Sequence, residues 1–207
     1  MTNHRKNSPL QPAQNMGFSL IEVLVTIVIL LIGLLGLAGL QGRALTSQME
    51  SYQRSQALIL LKDMADRIET NRKNAASYIT ASPLGTGGTP PASCNASGVC
   101  ATTADNDLYA WNNALKGAAE TQNGGNVGAM IGARGCVYQV APPASGVATT
   151  YSVVVAWQGL SSTAAPDVST ASSAGQCGLN QYKDKNGTAI EALHRVITLP
   201  VSLANLL

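Results

Sequence analysis

Charge and catalytic chemistry are what this chain has least of. Asp, Glu, Lys and Arg make up 12% of its 207 residues, about half the usual quarter, and its two histidines are His4 and His194. No G-x-S-x-G elbow, P-loop or G-x-G-x-x-G after a strand occurs, so the motifs that organise acyl transfer and phosphate or dinucleotide binding are missing. His194 opens a strand pattern and reads as a solvent-facing strand residue. The four cysteines lack the paired C-x2-C spacing of a zinc site, and the expectation is no metal, no cofactor and no enzyme. Lys183 to Gly187 resembles a calcium loop only superficially, because Tyr182 and Leu193 stand where the first and twelfth ligands belong. Asn186-Gly187 reads there as a turn. Asn95-Ala96-Ser97 matches a glycosylation acceptor and is read as coincidence. The net charge is +2, and setting aside Arg5 and Lys6 leaves 11 basic against 11 acidic residues. No clustered basic face with interleaved aromatics speaks for nucleic acid.

What the chain does have is one long apolar run. From Val23 to Leu40 no residue is charged. Residues 18–40 make a helix of roughly 34 Å at 1.5 Å per residue, long enough to span a bilayer. Ahead of it, residues 1–17 carry His4, Arg5 and Lys6, two prolines and no acid, a polar positive region of the kind kept on the cytoplasmic side. An ordinary secretory signal is cut after its apolar segment, whereas the attractive cut here, Gly17 to Phe18, precedes it. An uncleaved signal-anchor is the other reading of the same residues. Glu22 is the anomaly, since an acid near the centre of a membrane helix costs about 2.5 to 3.5 kcal/mol. Either it snorkels to the cytoplasmic headgroups, or it neutralises the new ammonium of a neighbouring subunit's Phe18 and sets the register between subunits. Gly33, Gly36, Gly39 and Gly42 permit close helix approach, though glycine is also simply common in membrane helices.

Beyond Leu40 the helix turns amphipathic over residues 41–75. Leu45, Met49, Tyr52, Leu60, Met64 and Ile68 recur at roughly helical spacing, and Glu50 with Arg54, Lys62 with Asp66, Asp63 with Arg67 and Glu69 with Lys73 form i,i+4 pairs. The helix is expected to run from Phe18 to about Lys73. Residues 76–207 form the head. Ile79 to Thr103 reads as loop, and Asp105 to Ala118 as a short helix with Asp105 or Asn106 as N-cap and Leu108, Trp111 and Leu115 on one face. Gly117 and Gly124-Gly125 end it. Strand patterns follow at Gly135 to Ala141, closed by Pro142-Pro143, at Thr150 to Trp157, and at Leu193 to Val201, where Pro200 makes an edge strand or marks where pairing stops. The fold class is α+β: a long helix carrying an antiparallel sheet of three or four strands, one face packed on the distal helix. An exported head with an even cysteine count predicts disulfides, with free buried thiols as the alternative. Of three possible pairings the reading favours Cys94 with Cys100 and Cys136 with Cys177, the longer closure contributing about 3 to 4 kcal/mol.

Gly17-Phe18-Ser19-Leu20-Ile21-Glu22-Val23-Leu24-Val25 resembles the prepilin signature of type IV pilins and type II secretion pseudopilins. The resemblance implies that a prepilin peptidase/methyltransferase cuts after Gly17 and methylates Phe18, and that Glu22 guides docking into a filament. The run Gly33 to Gln41, with Gln56-Ala57 and Asp63 to Ile68, is similar to the PilV family of minor pilins, the type IV pilus modification proteins. Gly39 stands where many major pilins place a helix-bending proline, and Met16 beside the cut leaves a second start for the leader. The implied fold is pilin-like. The implied partners are the inner membrane before assembly, then other minor pilins, the major pilin and a tip adhesin. The implied role is pilus assembly supporting twitching and attachment, with a type II secretion pseudopilin as the rival reading.

Overall fold

The structure of the protein is a computed structural model, described over residues 17–204 apart from 96, 119–120, 124, 127, 129, 141–147 and 169–172. The leader up to Met16, Gly124 and the Pro142-Pro143 strand stop fall outside the described residues. By internal contacts the chain divides into two units, Met1–Leu45 and Thr46–Leu207.

The first unit contributes the opening of helix α1 (Leu20–Thr70). Ser19 starts it: its carbonyl accepts from the amides of Glu22 and Val23 at 3.0 and 3.3 Å. From Gly17 through Leu45 every residue is exposed, so no packing among the described residues supports this part. Backbone bonding does, and the one strongly polar side chain of the run closes on it, Thr26 Oγ1 donating to the Val23 carbonyl at 2.8 Å.

In the second unit α1 becomes a core helix. Ala57, Leu61, Met64, Ala65 and Ile68 are buried, a stripe at i, i+4, i+7, i+8 and i+11 that lies along one helical face. The expected stripe is corrected at its start, where Leu45, Met49 and Tyr52 are exposed and Gln53 takes the buried place one turn before Ala57. Apolar spacing alone cannot tell which of two adjoining faces meets the head. The helix also stops short of Lys73. From Arg72 to Tyr78 the chain tightens into 3₁₀ turns, which brings the fully buried Tyr78 ring inward and sets its hydroxyl 2.5 Å from Asp107 Oδ2. Of the four expected charge pairs, Lys62–Asp66 forms at 2.9 Å and Asp63–Arg67 at 3.0 Å, with Arg67 also reaching Asp107 at 2.9 Å. Among the described residues no ion pair joins Glu69 to Lys73, because the α-helical spacing ends between them.

Helix α2 spans Thr103–Leu115, and its N-cap is Thr102, not Asp105 or Asn106. Thr102 Oγ1 accepts from the Asp105 amide at 3.1 Å and donates to the Asp105 carboxylate at 2.7 Å, so the cap hydroxyl satisfies an amide of the first turn and Asp105 is the third helical residue. Leu108, Trp111 and Leu115 are buried as expected, and the Trp111 indole donates to the Leu60 carbonyl of α1 at 2.9 Å.

The sheet has order β1-β4-β5-β6, with β1 at Leu84–Gly85, β4 at Arg134–Gln139, β5 at Thr149–Gln158 and β6 at His194–Leu203; its neighbours pair antiparallel. A separate two-stranded ribbon pairs β2 (Thr121–Gln122) with β3 (Gly125–Asn126). Strand β1 lies inside the stretch expected to be loop. It is too short for a periodic signal and is held by the Asn112 side chain, whose Oδ1 accepts from the Gly85 amide at 2.9 Å. Gly85 sits at φ +95°, and a Cβ there would come 2.4 Å from the Ala133 carbonyl. Gly135 likewise admits the Trp111 ring, which a Cβ would meet at 2.3 Å.

Strand β5 explains why the sheet is covered on both sides. Val153, Val155 and Trp157 belong to the main core with α1 and α2, while Val154 and Ala156 pack on the other face against Cys136, Cys177 and Tyr182. The expectation of one packed face is therefore incomplete. The Cys136–Cys177 disulfide, with Cα atoms 5.9 Å apart, ties the segment after η-turn residues 173–176 onto that second face.

Candidate functional site

Gly17, Phe18 and Glu22 stand at the start of α1, all exposed. The helix they open is long and apolar enough to cross a membrane, with none of its most apolar window buried. Nothing lies within 4 Å of where a Cβ would sit on Gly33, Gly36, Gly39 or Gly42, so these glycines leave shallow open sites along the shaft. Among the described residues no cluster of three His, Cys, Asp or Glu side chains is arranged to hold a metal ion.

The cysteines pair as Cys94–Cys100 and Cys136–Cys177. Within the small ring Asn95 Oδ1 accepts from the Ser97 and Val99 amides at 3.0 and 2.9 Å, so this asparagine shapes the loop; Ala96 lies outside the described residues.

His194 contradicts its expectation as a solvent-facing residue, for it is 1% exposed. Its Nδ1 lies 2.8 Å from Glu191 Oε2 and its Nε2 2.9 Å from the Cys177 carbonyl. Its ring lies 4.9 Å from that of Tyr182. Glu191 Oε1 in turn accepts from the Asn180 amide at 2.7 Å. The histidine fastens the disulfide-linked segment to the first residue of β6, and burial pushes the Tyr182 hydroxyl pKa far above its ordinary value. No sequence signal places these groups together, because Cys177 and His194 lie 17 residues apart with no periodic element joining them. Lys183 to Gly187 forms the expected turn, Asp184 Oδ1 accepting from the Asn186 and Thr188 amides at 2.9 Å each.

A second unforeseen cluster centres on Glu50. In place of Arg54, its Oε1 accepts from the Leu160 amide, the Ser161 amide and the Ser161 hydroxyl at 3.2, 3.1 and 2.9 Å, with Arg195 Nη2 at 3.5 Å. The Ser161 hydroxyl chiefly, aided by the two amides and Arg195, holds the carboxyl below its usual pKa against the opposing effect of burial. Beside it runs a cleft of about 290 Å³ lined by Ser47, Ser51 and Arg54 of α1 and by Trp157, Arg195, Val196 and Ile197 of the sheet. The partners of Glu50 lie more than a hundred residues away in the chain, beyond the reach of any local spacing rule.

A family model described as Tt1218-like, Type IV pilin Tt1218, matches residues 39–109, about a third of the chain. No curated protein and no solved structure matches it. The matched segment begins after the Gly17-to-Val25 motif, so the two indications come from separate residues. It supports kinship with type IV pilins, and the long apolar helix with a small head built on a four-stranded antiparallel sheet is consistent with that fold.

Proposed function

We propose that this chain is a minor pilin of a type IV pilus, of the PilV kind, made as a prepilin and assembled into a priming or tip complex. The observation that carries the proposal is an apolar helix left exposed among the described residues, bearing Glu22 in its first turn and continuing into a disulfide-bonded head, with residues 39–109 matching a type IV pilin model. The function is assembly and not turnover. Before cleavage the helix holds the subunit in the inner membrane, head outside. Cleavage between Gly17 and Phe18 creates an ammonium, which is then methylated, and a neighbouring Glu22 neutralises it among apolar side chains, where two otherwise costly charges specify one register. Other minor pilins, the major pilin and a tip adhesin are the partners, and twitching and attachment are what the fibre supports.

Mass spectrometry of filament-associated protein is expected to find N-methylated Phe18 as the terminus, and Met1 retained there sinks the processing step. Glu22→Ala is expected to be cut normally yet enter filaments poorly. A type II secretion pseudopilin would carry the same N-terminal signature. Deletion decides between them: lost retractable pili with intact secretion fits the proposal, and the reverse phenotype overturns it.

A further inference from the structure

Strand β6 is an outer strand of the sheet, and its backbone polarity can be assigned by residue. Gln158, opposite His194, donates to the Ile131 carbonyl. Thr150, opposite Ser202, accepts from the Val140 amide. Both therefore turn their ladder groups toward the β4 side. Opposed residues of an antiparallel pair alternate between bonded and non-bonded, so His194, Val196, Thr198, Pro200 and Ser202 point their backbone groups away from β5. Pro200, opposite Ser152, fits this assignment because it has no N–H to give. The His194 amide is taken by the Glu191 carbonyl, but among the described residues nothing outside the strands bonds the amides of Val196 and Thr198, which stand as open donors, with pairing interrupted at Pro200. An open edge of this kind is a template for another strand.

Charge singles out what kind of strand. Val196 and Ile197 also line the cleft that contains Arg54 and Arg195. Arg195 is spent on the Ala192 and Ser161 carbonyls and on Glu50. Arg54 has no hydrogen bond or ion pair among the described residues, since its expected partner Glu50 is held by Ser161. The cleft thus keeps one uncommitted cation beside two uncommitted backbone donors. Pairing β6 with β6 of a second copy would gather Arg54 and Arg195 of both copies at one seam, which disfavours self-pairing.

We propose that the β6 edge over Val196–Thr198 takes an extended, acidic segment of another polypeptide as an added strand, its carboxylate meeting Arg54. This goes beyond the pilin reading and does not depend on it. The test uses the ¹⁵N-labelled full chain in detergent micelles and two capped peptides of alternating Thr and Val, one with a central Asp and one with Lys in its place. The Asp peptide is expected to bind at least tenfold more tightly and to slow amide exchange at Val196 and Thr198. Thr198→Pro, which removes an outward donor and leaves the β5 ladder intact, is expected to weaken binding about tenfold, and Arg54→Glu to reverse the peptide preference. Equal binding of both peptides, no binding, or unchanged Val196 and Thr198 exchange overturns the proposal. So does undiminished binding by Thr198→Pro while the Ile197 and Leu199 amides stay protected. Should Thr198→Pro not fold, Arg54→Glu and the exchange map decide. Concentration-dependent self-association that the Asp peptide does not compete away assigns the edge to a second copy and overturns it equally.

Discussion

Between Leu20 and Leu45 no side chain of α1 is buried, although most are aliphatic, while from Gln53 to Ile68 the same helix buries six and exposes polar residues around them. Full burial of a Leu, Ile or Val side chain is worth about 1.5 to 3 kcal/mol, so the first region withholds from water almost nothing it could. The second has its burial supplied by Trp111, Tyr78 and the β5 valines. The difference teaches that one continuous helix can be written for two solvents. Residues 20–45 draw no burial from the described chain, whereas the head acquires its own from within.

The comparison is broken or sharpened most strongly at the core. Trp111→Ala is expected to cost the head about 3 to 5 kcal/mol, because a fully buried indole and its bond to Leu60 are lost together; chemical denaturation followed by circular dichroism measures it. Next come the disulfides. Replacing Cys136 and Cys177 by serine is expected to cost about 3 to 4 kcal/mol, and replacing Cys94 and Cys100 about 2 kcal/mol, following loop length. The reverse order in urea midpoints would mean that the second sheet face holds without its tether. Ile32→Asp tests the other region: membrane insertion is expected to weaken by about 2.5 to 3.5 kcal/mol, read in a translocation assay, with the urea midpoint of the head unchanged. A shifted midpoint would mean that the two regions do not draw stability separately. The smallest effect concerns alkali. Burial and the Asp107 hydrogen bond push the Tyr78 hydroxyl from 10.0 up to about 12. The folded state therefore keeps a proton that the unfolded state releases, and stability present below pH 10 is expected to fall as pH rises toward 12. Tyr78→Phe is expected to flatten part of that slope.

Much of the fold was legible along the chain. The apolar run, the α2 face of Leu108, Trp111 and Leu115, and the three long strands all announce themselves by composition and period, since each needs only its own neighbours in sequence. The reading failed where a contact far off in sequence chose between local options. Leu45, Met49 and Tyr52 have helical spacing, yet the head docks on the adjoining face. Asp105 has cap chemistry, but Thr102 precedes it in geometry. Strand β1 exists only because Gly85 meets Asn112 and Ala133.

By itself, then, the sequence determined that this chain carries a membrane-length helix opened by Gly17, Phe18 and Glu22 and a cysteine-bearing α+β head, because hydropathy and period act locally. Only the tertiary structure decided that His194 is a buried fastener, that Glu50 leaves Arg54 for Ser161, and that β6 presents Val196 and Thr198 outward. Those outcomes turn on which strand pairs with which and on a ring closed by Cys136 and Cys177, and long-range closure is a property of the folded chain and not of any segment within it.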